Sequence, residues 1–147
     1  MPLSGTSRLR RRGFPPARTT AILAHLQAKY GVNAVQFYDN NFFLREDHAR
    51  EFAARIAPLS LHWWCEARVD IVLGYSDDTL RKLRAAGCVM IFFGVESGND
   101  EALRNMKKQL TSEQTLELAR RIRQFDIVPE YSMIFGNPED AERDLAA

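Results

Sequence analysis

Short apolar runs alternating with amphipathic segments predict an α/β protein built on four parallel strands. Strand-like runs begin near residues 35, 61, 89 and 128, and the intervals between them match the length of a strand–helix unit. Each interval carries apolar residues at helical spacing. The run Val89-Met-Ile-Phe-Phe-Gly-Val-Glu-Ser-Gly98 ends in a carboxylate, a hydroxyl and a glycine. It reads as a strand buried on both faces, with Glu96 at its C-terminal end, where α/β folds bind their ligands. Successive strand–helix units favour parallel pairing through right-handed crossovers. A barrel sector and an open doubly wound sheet both fit this pattern.

The elements follow in order. Pro15 and Pro16 suit a first helical turn, and Ile22, Leu23, Leu26 and Tyr30 form a stripe closed by Gly31. Residues 35–39 make a first strand. Ala49, Phe52, Ala53 and Ile56 make the next helical stripe, which Pro58 ends. Residues 61–70, with two Trp, read as the second strand. Ser76 caps a helix whose buried side is Leu80 and Leu83, and Gly87 suits its C-terminus. Residues 89–96 form the third strand, followed by a short helix near 100–106. Thr111 and Gln114 have capping-box spacing at the head of a longer helix, with Leu118, Ile122 and Phe125 on one face. Residues 128–135 are the fourth strand, leading into Gly136-Asn-Pro.

A chain of 147 residues, 46% hydrophobic and 27% charged, has the composition of a globular domain. No apolar run approaches the ~20 residues that span a bilayer. The first 20 residues lack an apolar core, and Cys65 and Cys88 make no disulfide framework, so a reducing, cytoplasmic setting is expected. The formal charge of +1 is unevenly spread: residues 1–18 hold five Arg and no acid, leaving 15 bases against 19 acids. Residues 1–13 read as a basic leader expected to be disordered. No aromatics interleave its arginines, which argues against nucleic-acid binding. Residues 14–147 form the domain.

Strand ends carry the polar residues. Asp39, Asn40 and Asn41 follow the first strand, Glu66 and Arg68 lie in the second, Glu96 and Ser97 end the third, and Gly136, Asn137 and Pro138 end the fourth. On one parallel sheet they converge on one rim, suited to a ligand with an ammonium, a carboxylate and hydroxyls. Asp39 and Asn40 equally suit a loop role, and Glu66 and Arg68, sharing a strand face, equally suit mutual neutralisation. Glu96 ends so apolar a strand that its carboxylate requires a partner. Cys65 alternates away from Glu66 and reads as core, as does Cys88. Neither the cysteines nor His25, His48 and His62 show metal-ligand spacing.

The order Tyr38-Asp-Asn-Asn-Phe42, Trp64-Cys-Glu-Ala-Arg-Val-Asp70, Leu83-Arg-Ala-Ala-Gly-Cys88, Phe93-Gly-Val-Glu-Ser-Gly98 and Ile134-Phe-Gly-Asn-Pro-Glu139 resembles the radical S-adenosylmethionine (SAM) enzymes, in the branch often carrying a cobalamin-binding domain. The likeness runs from about Gly13 to the C-terminus. It implies a partial (βα)6 barrel of which this chain holds strands two to five. It also implies that Asp39, Asn40 and Asn41 receive the methionyl ammonium of SAM, that Glu66 and Arg68 face the pocket with Arg68 suited to a carboxylate, that Glu96 and Ser97 lie near ribose and methionyl groups, and that Ile134, Gly136 and Pro138 line the adenine.

One departure is large. The family holds a [4Fe–4S] cluster on a Cys-x3-Cys-x2-Cys loop after its first strand, and this chain has no such loop. The resemblance therefore implies a truncated piece of a larger enzyme, whose parent cleaves SAM to a 5′-deoxyadenosyl radical or transfers methyl groups with cobalamin. The chain alone is expected to do neither. Two alternatives are a SAM-pocket-derived binding module and a cluster-independent barrel enzyme using Asp39, Glu66 and Glu96 as acid and base. The outer strands are expected to expose unpaired edges and to promote self-association.

Overall fold

Four parallel strands hydrogen-bond in the order β1-β2-β3-β4 in the computed structural model, which describes residues 14–136. β1 (Ala34–Phe37) pairs with β2 (His62–Ala67), aligning Phe37 with Cys65. β2 pairs with β3 (Cys88–Glu96), aligning Glu66 with Phe92, and β3 pairs with β4 (Val128–Met133), aligning Gly94 with Ser132. Helices alternate with these strands: α1 (Pro16–Tyr30), α2 (Glu46–Ile56), α3 (Val69–Leu73), α4 (Asp77–Ala85), α5 (Asp100–Asn105) and α6 (Ser112–Ile122). The α/β class and the sequential parallel order agree with the sequence pattern.

Burial along the strands corrects one expectation. In β3, Ile91, Phe93 and Val95 are buried, whereas Phe92, Gly94 and Glu96 are half-exposed. In β2, Trp63, Cys65 and Ala67 are buried between half-exposed Trp64 and Glu66. One face therefore packs beneath helices and the other is open, so the third strand is not buried on both sides. Cys65 and Cys88 lie in the packed core, as alternation from Glu66 implied for Cys65.

Trp63 centres that core. Its ring meets Phe52 at 5.3 Å and Phe37 at 6.0 Å, both edge-on, and its indole N–H donates to the Ala86 carbonyl at 2.8 Å. A buried Trp needs such an acceptor, or its desolvated N–H costs about 1–3 kcal/mol. α2 adds Ala49, Phe52, Ala53 and Ile56, α4 adds Leu80 and Leu83, and α6 adds Leu118 and Ile122. Each large side chain so buried contributes roughly 1.5–3 kcal/mol.

The helix ends follow their sequence signals. Ser76 accepts the Thr79 N–H, and Thr111 with Gln114 closes a complete capping box. Gly87, just past α4, has φ of 95°, and a Cβ there would lie 1.9 Å from the Leu61 carbonyl oxygen. Only glycine permits this approach, because the Gly87 carbonyl must accept from Trp63 N at 2.9 Å to start the β2–β3 pairing.

Other expectations fail in detail. The second strand stops at Ala67 instead of running to 70, because Arg68 turns to grip Asp70 and Val69 and Val72 bury themselves as α3. The first and fourth strands end at Phe37 and Met133, two residues short of their predicted ends at 39 and 135. Of the predicted α1 stripe Leu23 is buried, together with Pro16 and Thr20, and Leu26 is half-buried, whereas Ile22 and Tyr30 are exposed. α1 packs against α2, and Gln27 anchors it by donating to the Leu59 carbonyl at 2.8 Å. Among the described residues no helix is long and apolar enough to cross a membrane. The basic leader, 1–13, lies outside the described residues.

Candidate functional site

Parallel pairing brings the four strand ends to one rim, and backbone hydrogen bonds fix their spacing. Phe42 N–H donates to the Glu66 carbonyl at 2.9 Å, docking the loop that holds Asp39, Asn40 and Asn41 against the end of β2. Asp39 and Asn40 are exposed there. The Asn41 side-chain oxygen is enclosed and accepts no hydrogen bond from the described residues. Glu66 lies half-buried on the open face, and none of the described residues hydrogen-bonds or ion-pairs with its carboxylate. A half-buried carboxylate without a protein partner is suited to receiving a ligand cation.

Arg68 does not neutralise Glu66. Its guanidinium forms a bidentate pair with Asp70 (2.9 and 2.8 Å), which holds the Asp70 carboxyl below its ordinary range. The pair is half-exposed and lines a cleft of about 160 Å³ with Val69, Gly94, Lys108 and Leu110. A fork already in bidentate geometry can exchange one carboxylate for another at modest cost.

Glu96 has a partner that sequence reasoning missed. Its Oε1 accepts from Lys108 Nζ at 2.8 Å, and its Oε2 from the Ser132 hydroxyl at 3.3 Å. Glu96 has φ of 73°, uncommon for a residue with a side chain, and sits where β3 shifts register against β4. Its carbonyl accepts from Ile134 N at 2.7 Å, so the two strand ends are tied at this irregular point. Gly94 leaves room for the ion pair, since a Cβ there would sit 3.0 Å from Glu96 Oε1. Lys108 follows α5, where Lys107 takes φ of 56°. Only the adjacent lysines after a short helix hinted at it, because the loop's return to β3 is a tertiary fact.

Ser97 is buried, and its hydroxyl accepts the Asn99 N–H at 3.0 Å in the turn that starts α5. Ile134 and Gly136 are exposed beside Glu96 at the end of β4, and Gly136 has φ of 84°. Asn137 and Pro138 lie outside the described residues. The rim thus joins Glu66 with the 39–41 loop at one end, and Glu96 with Ser132 and Ile134 at the other. Arg68 and Lys108 border the cleft between them.

The thiols sit elsewhere. Cys65 and Cys88 are buried on the helix-facing side, and desolvation pushes both well above the ordinary thiol range. Cluster ligands must be thiolates open to iron, which these are not. The residues present do not fit a [4Fe–4S] cluster.

The sequence profile of the Radical SAM superfamily matches residues 4–147, beginning upstream of Gly13, and the chain belongs to that superfamily. An uncharacterized methyltransferase of Pyrococcus horikoshii, PH0819, is 25% identical over 138 residues, covering 92% of this chain and 29% of the relative. The fold is similar to the cobalamin-dependent SAM radical enzyme OxsB with aqua-cobalamin and SAM bound (TM-score 0.74, 19% identity, 92% of this chain and 22% of that one). It is also similar to the radical SAM methyltransferase TsrM from Kitasatospora setae, with cobalamin and a [4Fe–4S] cluster bound (TM-score 0.70, 20% identity, 89% of this chain and 28% of that one). The chain therefore spans less than a third of these relatives.

Proposed function

We propose that this chain forms the SAM-binding sector of a cytoplasmic radical SAM enzyme, and that the full activity is a cobalamin-assisted methyl transfer. The observation that carries the binding half is the Glu66 carboxylate, which lacks a partner among the described residues, beside the enclosed and unsatisfied Asn41 oxygen. These groups suit the methionyl ammonium of SAM, with Asp39 and Asn40 nearby to accept further N–H and O–H donors. Arg68 would release Asp70 to take the methionyl carboxylate. Glu96 and Ser97 would lie near the ribose and methionyl groups, and Ile134 and Gly136, with Pro138 beyond the described residues, would flank the adenine. SAM supplies an activated methyl sulfonium when bound; these residues would hold and orient it.

The buried cysteines give no place for the cluster, so the thiolates for radical chemistry must come from outside residues 1–147. The relatives' names support methyl transfer, since PH0819 and TsrM are named methyltransferases. Anaerobic incubation with ferrous iron and sulfide tests the division of labour. Iron and labile sulfide should stay far below stoichiometric, while calorimetry with SAM should show weak binding that Glu66→Gln abolishes. A stoichiometric [4Fe–4S] spectrum on the isolated chain would refute it.

A further inference from the structure

The cleft between the start of α3 and the α5–α6 loop is lined mainly by charge of one sign. Of its four ionic side chains, Arg68, Lys107 and Lys108 are cations and Asp70 is the single acid. Gln109 adds an amide, and Val69 and Leu110 are its apolar part. Its volume of about 160 Å³ falls short of the ~300–1,000 Å³ that encloses a whole small molecule. It suits one anionic group of a larger ligand.

The three cations are not equivalent. Arg68 already closes its fork on Asp70, and Lys108 reaches past Gly94 to Glu96 Oε1 at 2.8 Å. Lys107 is exposed, and none of the described residues pairs with it. Its backbone is also ill suited to a side chain. α5 ends in a Schellman turn, in which Lys107 N–H donates to the Arg104 carbonyl and Lys108 N–H to the Leu103 carbonyl, each at 2.9 Å. Such a turn needs a left-handed residue, normally glycine, and Lys107 takes φ of 56° there. The loop is closed further on by Ser112 N–H donating to Asp100 Oδ1 at 2.7 Å, so both lysines project from a pinned turn. A long cationic side chain at a position that favours glycine is accounted for by what the side chain binds.

We propose that this cleft binds a phosphate group, with Lys107, Lys108 and Gln109 as donors and Arg68 beside them. A planar carboxylate matches the guanidinium fork, which Asp70 fills. Ammonium groups on successive turn residues, with an amide next to them, approach from different directions and suit a tetrahedral oxyanion. Binding of the phosphate requires neither SAM nor release of Asp70. That the phosphate belongs to the methyl acceptor rests on the function proposed above: the cleft lies between the two halves of the rim, so a phosphorylated acceptor anchored there is held next to bound SAM.

Amide NMR of the 147-residue chain, titrated with inorganic phosphate and separately with acetate at matched ionic strength, tests the assignment. Saturable shifts are expected at residues 68–70 and 107–110, with phosphate bound roughly ten-fold more tightly than acetate and still bound when SAM is present. Lys107→Gly separates a binding role from a structural one. Glycine relieves the left-handed strain, so the melting temperature should rise by about 2–5 °C, while phosphate affinity should fall roughly ten-fold. The rise without the loss of affinity would overturn the proposal. So would equal binding of phosphate and acetate, the absence of a saturable shift at 107–110, or displacement of phosphate by SAM, which would give the cleft to the methionyl carboxylate. If SAM shifts nothing at residues 39–41 while phosphate still binds, the SAM reading and the acceptor fall and the phosphate site stands.

Discussion

Lys108 Nζ lies 2.8 Å from Glu96 Oε1, so a loop lysine supplies the counter-charge for the carboxylate ending the most apolar strand. Glu96 has only 18% of its side chain exposed against 37% for Lys108. The carboxylate is therefore the more dependent partner. Lys108→Met should lower stability by about 1–2 kcal/mol, because it leaves a poorly solvated charge with only the Ser132 hydroxyl. Glu96→Gln should cost less, since the freed ammonium can reach water. Urea unfolding of both variants checks the order.

The two crowded glycines separate by mechanism. Gly87→Ala should cost about 3 kcal/mol or more, because the added Cβ collides with backbone at 1.9 Å and φ is 95°. Gly94→Ala meets only the Glu96 carboxylate at 3.0 Å, and a side chain can move. It should fold with a small stability loss yet displace the Glu96–Lys108 pair. Thermal melts, with the Lys108 side-chain resonances as reporter, distinguish the two.

Glu46 links the starts of two helices. Its Oε1 accepts from Ser76 N, the Ser76 hydroxyl and the Thr79 hydroxyl at 2.8, 2.5 and 2.6 Å, which holds its carboxyl down to about 2 from 4.5. A lowered pKa stabilises the fold above the unfolded value, and that stability is lost as pH falls from 4.5 towards 2. The urea midpoint should therefore fall through this window, and it should fall less in Glu46→Gln. Asp70, Asp78 and Asp100 are lowered as well, so the difference between wild type and variant, rather than either curve, reports on Glu46.

Arg121 on α6 ties α3 to α4 by donating to the Leu73 carbonyl at 2.7 Å, the Tyr75 carbonyl and Asp77. The guanidinium satisfies carbonyls at the end of one helix and the acidic first turn of the next. Arg121→Met should cost about 2 kcal/mol in urea unfolding, more than loss of the exposed Arg55–Glu51 pair, which should stay below about 1 kcal/mol.

How much was legible follows from range. Strand order, the Ser76 and Thr111 caps and the buried stripe of α2 all rest on local periodicity or short spacings. The misreadings rest on tertiary partners. α3 is concealed because Val69, Asp70 and Ile71 extend a strand-like run, and only the Arg68–Asp70 grip turns the chain. The open sheet face was invisible because Met90 and Phe92 are as apolar as Ile91 and Phe93, so composition cannot say which face helices cover. Lys108 was missed because its contact with Glu96 is set by how the loop between α5 and α6 folds back.

SAM is expected to bind at the strand-end rim. Amide and side-chain NMR spectra of the labelled chain, titrated with SAM, test it most directly. Saturable shifts are expected at residues 39–41, 66–68, 94–97 and 134–136, reduced in Glu66→Gln, with the α4 and α6 outer faces unmoved. Shifts confined to those outer faces, or no saturable shift at any rim residue, would contradict it.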